Sequence, residues 1–272
     1  MDNIVIPATA NFVQAGKGVP VILIHGIAAS LHDWDDLTPE LIQNGYASYA
    51  LDLLGHGDSP KPDFPAYQMQ WLVEHFSNWM QTLQLTEPAI VIGHSLGGYI
   101  ALEYVRRFPA STRGLILVNP FYSRLQLNPL LRRSYSRRNL RGHLASKAPA
   151  WMHRAFVDIG SVLMGSRRGM FHSLPERIRV QTALDYARTA PGVYSITTTA
   201  RDLTAHLLSI SVPTLVVWGD HDQTLFPASF PSLVSGMPHA KGKFLVRAGH
   251  VPHQSHAEEF NTIAMEFVKG LG

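Results

Sequence analysis

A serine stands in a glycine-flanked turn, Gly93-His94-Ser95-Leu96-Gly97, in the first half of the chain. The apolar run Ile90-Val91-Ile92 precedes this turn, and a stretch with helical spacing follows it. A G-x-S-x-G pattern between a strand and a helix predicts a strained turn that exposes the serine hydroxyl at a helix N-terminus, where developing negative charge is favoured. The alternative is a glycine-rich turn with an incidental serine. Ser95 is therefore a candidate nucleophile.

A serine hydroxyl is a weak nucleophile until a base takes its proton, and a carboxylate must orient that base. The chain has 14 histidines and 20 acidic residues, so most of them must be bystanders. It has no cysteine, which excludes disulfides, a thiol nucleophile and zinc sites built on thiolates. The partners of the serine must come from the places where the fold gathers polar side chains.

Short apolar runs alternate with amphipathic stretches along most of the chain. Such runs are expected of parallel strands covered on both faces, and their alternation with helices indicates crossover units. Helical spacing is seen at residues 67–83 and 98–107. Sites in such sheets form at the carboxyl ends of strands. The predicted strands are residues 19–24, 47–51, 89–92, 114–118, 214–218 and 243–247.

This alternation stops after Asn119-Pro120, and strand character returns only near Val212-Pro213. Residues 121–200 hold 13 basic and 3 acidic residues, whereas the rest of the chain holds 10 basic and 17 acidic ones. A shift of this size indicates a compositionally separate segment. We therefore predict a core in two parts, residues 1–120 and 196–272, split by a helical segment at 121–195.

Four segments together resemble the α/β-hydrolase superfamily, in its branch with a helical cap inserted after the sixth strand. The resemblance implies a mostly parallel central sheet flanked by helices, a cap over Ser95, and a catalytic triad in the chain order Ser, Asp, His. The segments are His25-Gly26-Ile27-Ala28-Ala29-Ser30, Asp52-Leu53-Leu54-Gly55-His56-Gly57-Asp58-Ser59, Gly93-His94-Ser95-Leu96-Gly97-Gly98, and Gly219-Asp220-His221-Asp222 with Gly249-His250.

The resemblance implies that His250 is the base, because this family supplies its base just after the last strand. Three other histidines lie nearby in the sequence, at His239, His253 and His256. We interpret them as exposed or capping polar residues.

Two aspartates compete for the acid of the triad. The family pattern G-x-x-D, followed by a proline, aligns the acid on Asp222. Asp220 fits better as a turn residue whose carboxylate accepts backbone hydrogen bonds. Some relatives place the acid after the sixth strand, but that position here is Asn119, which carries no charge.

The resemblance also implies an oxyanion hole made of two backbone N–H groups, which stabilise the negative oxygen formed when a carbonyl is attacked. One belongs to Leu96, and the other to Ile27, with Ala28 as the alternative. His25 is interpreted as a structural residue that holds this loop. Asp52 is interpreted in the same way, as an acceptor of backbone hydrogen bonds.

The segment at 121–195 should set the specificity for substrate. Trp151, Met152 and Phe156 are candidates for a hydrophobic acyl pocket, as are Met164, Met170 and Phe171, although all six could equally be the packing of the cap itself. Its arginine pairs form either a solvated basic surface or a field that attracts acidic substrates or an anionic membrane surface. The pairs are Arg132-Arg133, Arg137-Arg138 and Arg167-Arg168.

The leading expectation is a serine hydrolase that cleaves carboxylic esters of small to medium hydrophobic acyl substrates through an acyl-enzyme. C–C bond hydrolases, lactonases and thioesterases use the same triad and remain alternatives, because the fold does not fix the reaction. From another class, the chain could be a ligand-binding receptor with a vestigial triad. A small-molecule ester is thus the expected partner.

No cofactor is expected, since the mechanism needs none, and no metal is expected, since no H-E-x-x-H or similar cluster occurs. No nucleic-acid-binding module is recognised. The N-terminus has no signal peptide pattern, and no run of roughly 18 apolar residues suggests a membrane span. These features predict a cytoplasmic protein. The oligomeric state cannot be read from the sequence.

Overall fold

The structure, a computed structural model, describes residues 5–129, 132, 148–165 and 174–272. Its centre is a seven-stranded sheet in the order β1-β3-β2-β4-β5-β6-β7. Only β1 is antiparallel to its neighbour, and all other pairs are parallel. The strands are β1 Phe12–Ala15, β2 Val19–Ile24, β3 Tyr46–Leu51, β4 Ala89–His94, β5 Thr112–Val118, β6 Thr214–Gly219 and β7 Ala240–Leu245.

Helices cover both faces of this sheet. In β2, Ile22 and Ile24 face one apolar cluster with α2 and α3, while Val21 and Leu23 face a second cluster with α1 and α8. Continuous apolar strands therefore bury both faces, as the sequence predicts. The helices are α1 Thr38–Gln43, α2 Met69–Thr82, α3 Leu96–Arg107, α4 Ala150–Gly165, α5 Glu176–Arg188, α6 Ser229–Gly236, α7 Pro252–Ser255 and α8 Ala257–Lys269.

The two edges of the sheet differ from the sequence predictions. Strand β1 was not predicted, because its residues Phe12–Ala15 are largely exposed and its pairing with β3 leaves no apolar signature. Strand β7 begins at Ala240 and ends at Leu245, earlier than the predicted residues 243–247. Most of β7 is exposed, so hydrophobicity does not mark its limits.

Helices α4 and α5 lie between β5 and β6 and pack against each other. Ion pairs link the two helices, since Arg154 and Arg179 each contact both Asp158 and Glu176. The resemblance implied a cap after the sixth strand, whereas this segment follows the fifth described strand. The division into core and cap stays a prediction.

Within the described ranges, none of the helices combines the length and apolar character that crossing a bilayer requires.

Candidate active site

Ser95 occupies the tight turn between β4 and α3, as predicted. Its φ of 49° and ψ of −109° are strained for a residue with a side chain. The flanking glycines make the turn possible. A Cβ on Gly93 would lie 2.4 Å from the carbonyl oxygen of Gly97, and one on Gly97 would lie 2.2 Å from that of Ile24. Any larger residue at either position would push β4, α3 and β2 apart.

Backbone hydrogen bonds hold this strained turn in place. The N–H of Ser95 donates to the carbonyl oxygen of Val118, at the end of β5, over 2.9 Å. The carbonyl oxygen of Ser95 accepts from Gly98, Tyr99 and Phe121 at 3.0 to 3.3 Å. The conformation of the serine thus depends on the neighbouring strand and on the first residue after Pro120.

The structure brings Ser95, His250 and Asp222 into one hydrogen-bonded chain. Nε2 of His250 lies 3.0 Å from Oγ of Ser95, and its Nδ1 lies 2.8 Å from Oδ2 of Asp222. A carboxylate only accepts, so Nδ1 carries the proton toward Asp222 and Nε2 is left as the acceptor for the serine hydroxyl. This is the arrangement in which an imidazole can remove the proton of the serine.

The carboxyl group of Asp222 is almost fully buried and has a complete set of partners. Oδ1 accepts from the N–H groups of Thr224 and Leu225 at 2.7 and 3.0 Å. Burial alone would raise the pKa of Asp222, but His250, these amides and Asn119 outweigh burial and lower it. Asp222 is therefore ionised at neutral pH and holds the orientation of His250.

Asn119 is a site residue that sequence reasoning missed. Its Nδ2 donates to Oδ2 of Asp222 over 2.6 Å, and its Oδ1 accepts from the N–H of Gly219 over 3.3 Å. The residue has a φ of 39°, a left-handed conformation that asparagine tolerates better than most side chains. Its place at the end of β5 was the available signal, but we considered it only as a position for the acid. In the structure its side chain instead bridges the carboxylate of Asp222 and the N–H of Gly219.

The competing aspartate, Asp220, has the turn role that the sequence predicts. Its Oδ1 accepts from the N–H of Arg247 over 2.6 Å. This bond ties the end of β6 to the loop after β7. The carboxylate that accepts from Nδ1 of His250 belongs to Asp222.

The three other histidines near the base have different environments. His239 is exposed, so its interpretation is confirmed. His256 precedes α8 but is half-buried and its side chain makes no capping bond there; its Nδ1 lies 2.9 Å from Oγ of Ser255. The interpretation of His253 is wrong, because its side chain is only 2% exposed. Helix α7 begins with Pro252 and turns the ring of His253 inward, where it packs against Trp34 and His94 at centroid distances of 4.8 and 4.5 Å.

The loop after β2 lies directly against Ser95. A Cβ on Gly26 would be 3.5 Å from Cβ of Ser95. Within the described part of the chain, the N–H groups of Ile27 and Leu96 have no hydrogen-bond partner. Two such free amides beside the serine are what an oxyanion requires. Ala28, the alternative, has a φ of 54° in the same loop.

His25 holds this loop, as predicted. Its Nδ1 lies 2.7 Å from the carbonyl oxygen of Gly26, and its Nε2 accepts from the N–H of Leu53 over 2.9 Å. Asp52 also has its predicted role, because its carboxylate accepts from the N–H groups of Leu31 and Asp58, each over 2.8 Å. Both residues stabilise loops beside the site and touch no reacting atom.

Asp33, His94 and His253 are buried beside the triad and place donor atoms within 4.8 Å of one another. Oδ2 of Asp33 lies 3.2 Å from Nδ1 of His94, which is a hydrogen-bond distance, and 3.9 Å from Nε2 of His253. The donors of a tetrahedral zinc ion with bonds of about 2.1 Å stand roughly 3.4 Å apart. An ion would therefore have to break an existing hydrogen bond and draw His253 closer.

The three pocket candidates lie on α4, and their side chains face solvent. Trp151, Met152 and Phe156 are 70%, 46% and 67% exposed. Among the described contacts, none joins them to the triad. Met170, Phe171, the side chain of Met164 and every arginine of the three pairs except Arg132 lie outside the described residues. The pocket assignment stays a prediction that this arrangement of α4 does not favour.

With this geometry in place, comparison with known proteins gives a consistent result. The family model described as the alpha/beta hydrolase fold matches residues 19–257. A pimeloyl-[acyl-carrier protein] methyl ester esterase of Neisseria meningitidis is 31% identical over 268 residues, covering 92% of this chain and 94% of the relative. Lipase 3 of a Moraxella species is 25% identical, over 86% of this chain and 72% of its own.

Solved structures agree with this fold. A thermophilic esterase from Thermogutta terrifontis superimposes with a TM-score of 0.79 at 22% identity, covering 96% of this chain and 93% of the esterase. A meta-cleavage product hydrolase from Pseudomonas fluorescens superimposes with a TM-score of 0.75 at 21% identity, covering 98% and 97%. At this level of identity the likeness concerns the fold alone.

Proposed function

Because the chain belongs to the α/β-hydrolase family and is esterase- and lipase-like within it, we propose that it hydrolyses carboxylic esters of small to medium hydrophobic acyl groups. Ser95 is the nucleophile, His250 the general base and Asp222 the residue that orients the base. The observation that carries this proposal is the hydrogen-bonded chain from Ser95 Oγ through His250 to Asp222, at 3.0 and 2.8 Å.

In the proposed reaction, His250 removes the proton of Ser95 as the serine oxygen attacks the ester carbonyl. The oxyanion is stabilised by the N–H groups of Ile27 and Leu96, each contributing roughly 3–4 kcal/mol. The imidazolium then gives its proton to the leaving alcohol, which leaves an acyl group on the serine. Water, activated by the same histidine, releases the acid and restores the enzyme.

We also propose that residues 121–195 form a cap over this site. Helix α5 supports the proposal, because Arg177 contacts Asp36 at 2.7 Å and Arg188 contacts Asp58. Just beyond α5, the carbonyl oxygen of Gly192 accepts from the N–H of Tyr67 over 3.0 Å. A segment attached beside the strand ends is well placed to limit which acyl groups reach the serine.

Labelling with a fluorophosphonate probe tests the nucleophile. Wild-type protein and the Ser235→Ala control should be labelled, since Ser235 is exposed and its hydroxyl only donates to the carbonyl oxygen of Pro231. Ser95→Ala should lose both labelling and turnover while keeping its melting temperature. A wild-type protein that stays unlabelled when folded would contradict the proposal and favour the receptor with a vestigial triad.

A chain-length series of p-nitrophenyl esters tests the substrate class. The proposal expects turnover that peaks at short or medium acyl chains. Lactones, thioesters and a vinylogous diketone acid should be assayed with the same preparation, because related hydrolases use the same triad for other bonds. Negligible turnover of every ester, together with strong activity on the diketone acid, would make C–C bond hydrolysis the function.

A further inference from the structure

We propose that His94 is a positioning residue: held as an imidazolium by Asp33, it fixes the backbone of His250 relative to the oxyanion loop. The inference rests on the proposed function, in which His250 is the base. His94 occupies the x position before the nucleophile in the G-x-S-x-G pattern, so that pattern assigns it no role.

Both ring nitrogens of His94 face hydrogen-bond acceptors. Nε2 lies 2.9 Å from the carbonyl oxygen of His250, and Nδ1 lies 3.2 Å from Oδ2 of Asp33. A carbonyl oxygen only accepts, so Nε2 must carry a proton. An ionised carboxylate also only accepts, so Nδ1 must carry one too. A ring with two N–H groups is a cation.

We assign the proton between Asp33 and His94 to the imidazole, because other donors also reach the carboxylate. The carboxylate of Asp33 also accepts from the N–H of Gly26 at 3.2 Å and from Nε2 of Gln254 at 3.1 Å, and both bonds favour its ionised form. Burial alone would raise the pKa of Asp33, but His94 outweighs burial and holds that pKa well below its usual range.

His25 provides a matched contrast within the same site. It is equally buried, yet one ring nitrogen faces an acceptor, the carbonyl oxygen of Gly26, and the other faces a donor, the N–H of Leu53. Such a ring needs one proton and is neutral, and burial lowers its pKa further. The partners of each ring thus give two buried histidines opposite charge states.

The other titratable groups around the pair do not cancel this charge. His253 packs on His94, its ring has no hydrogen-bond partner among the residues that the structure describes, and burial lowers its pKa well below the usual value. His250 lies at a centroid distance of 5.1 Å and is hydrogen-bonded to Asp222. Asp185, on α5, has its pKa raised to about 7, mainly by burial and in smaller part by the negative charge of Asp33. Asp33 remains the direct counter-ion.

The ion pair joins the three parts of the proposed site. His94 is the last residue of β4, directly before Ser95, and its Nε2–H holds the carbonyl group of His250. Asp33 in turn holds Gly26, which precedes Ile27 in the oxyanion loop. A ring with one proton can satisfy only one of its two acceptors, so loss of the charge would release one link. Misplacing a catalytic group by 1 Å reduces rate by up to about 100-fold.

Nitrogen-15 NMR of histidine-labelled, full-length protein tests the charge state directly. We expect two protonated ring nitrogens for His94 and one for His25, with the His94 signals identified by their loss in His94→Gln. In Asp33→Asn, His94 should keep the Nε2 proton and lose the Nδ1 proton. A single protonated nitrogen on wild-type His94 would overturn the proposal, as would a stoichiometric metal ion found by elemental analysis.

Kinetics test the positioning role. Asp33→Asn should lower kcat roughly 10- to 100-fold and change KM by less than about threefold. The control is Glu103→Gln, which removes another buried carboxylate, paired with Arg106 and Arg107 on α3, and should leave both constants unchanged. An unchanged kcat in folded Asp33→Asn would overturn the proposal. A folded wild type that the fluorophosphonate probe does not label would instead contradict the proposed function. The NMR result would still decide the charge of His94 in that case.

Discussion

The strand-end site and the helical pair α4–α5 are both rich in charge, but they hold their charges differently. At the strand ends, Asp222 is buried and accepts hydrogen bonds from Asn119, from two backbone amides and from His250. Between α4 and α5, the pairs of Arg154 and Arg179 with acidic residues lie at the surface.

This difference determines which region tolerates change. A buried carboxylate with fixed partners has one geometry, and removing any partner leaves an uncompensated group. Exposed ion pairs contribute about 0–1 kcal/mol each and are screened by salt. Substitutions at the strand ends should therefore reduce turnover strongly, whereas those in the helical pair should change stability only slightly.

The largest effect is expected from Asp222→Asn. The amide cannot hold His250 with its proton on Nδ1, so kcat should fall by about 10⁴-fold in steady-state ester assays. Asp220→Asn is the control, because this neighbouring carboxylate contacts the N–H of Arg247 and the side chain of His221, and no described contact joins it to His250. Equal losses in the two variants would show that charge near β6, and not the orientation of the base, controls turnover.

Asn119→Ala should have the next largest effect. It removes a hydrogen bond to a charged group, worth about 1.5–3 kcal/mol, so kcat should fall roughly 10- to 100-fold with KM little changed. Asn44→Ala, at the exposed end of α1, provides a control that removes a side-chain bond to the carbonyl oxygen of Glu40. Full activity in Asn119→Ala would mean that the amides of Thr224 and Leu225 suffice to fix the acid.

Asp185 is the exception within the helical pair, since α5 buries it against the core. Burial raises its pKa from 3.8 to about 7. The folded state then binds a proton that the unfolded state has released, so stability falls as pH rises from about 4 to about 7. The side chain in Asp185→Asn does not titrate and so lacks this penalty. On going from pH 5 to pH 8, its free energy of unfolding should therefore rise by about 1–2 kcal/mol relative to that of the wild type.

Urea unfolding at the two pH values measures this gain. Asp35→Asn is the matched control, because Asp35 is exposed and pairs only with exposed His32 in the described structure. A pH dependence in Asp185→Asn that equals that of the wild type would show that Asp185 is ionised in the folded protein. In that event the helical pair would hold a buried negative charge at this position, as the strand ends do at Asp222.

The smallest effect is expected from Arg177→Ala. Its bond to Asp36 is short, at 2.7 Å, but more than half of the arginine side chain is exposed. The free energy of unfolding should fall by less than about 1 kcal/mol, and the loss should shrink at high salt. If the free energy of unfolding fell by several kcal/mol, this surface contact would be as strong as the buried bonds at the strand ends. The two regions would then not differ in the way proposed.

The sequence predicts the centre of the sheet well because burial on both faces leaves an unbroken apolar run. Strand β2 matches its predicted limits, residues 19–24, at both ends. Strand β1 is missed because it pairs at an exposed edge, where packing does not constrain its side chains. The strand–turn–helix around Ser95 is predictable because only glycine fits on either side of it.

The rest of the site depends on contacts that local sequence does not carry. His253 was misinterpreted because its burial results from packing on Trp34, far away in the chain. The role of Asn119 depends on the meeting of β5, β6 and the loop that carries Asp222. The hydrogen bonds that join them are visible only in the folded structure. Trp151 and its neighbours have the composition of a pocket, but composition does not reveal which way a helix faces.

The carbonyl oxygen of Ser95 accepts a hydrogen bond from the N–H of Phe121. Phe121 is the first residue of the segment that we assign to the cap. The Phe121 ring is buried and packs on Tyr99 of α3. Recombination that exchanges this segment between relatives therefore has a preferred junction: a crossover after residue 121 keeps this ring on α3, whereas one before it imports a new side chain there. Chimeras joined on the later side should keep the reaction and change the substrate, so that chemistry and specificity are inherited separately.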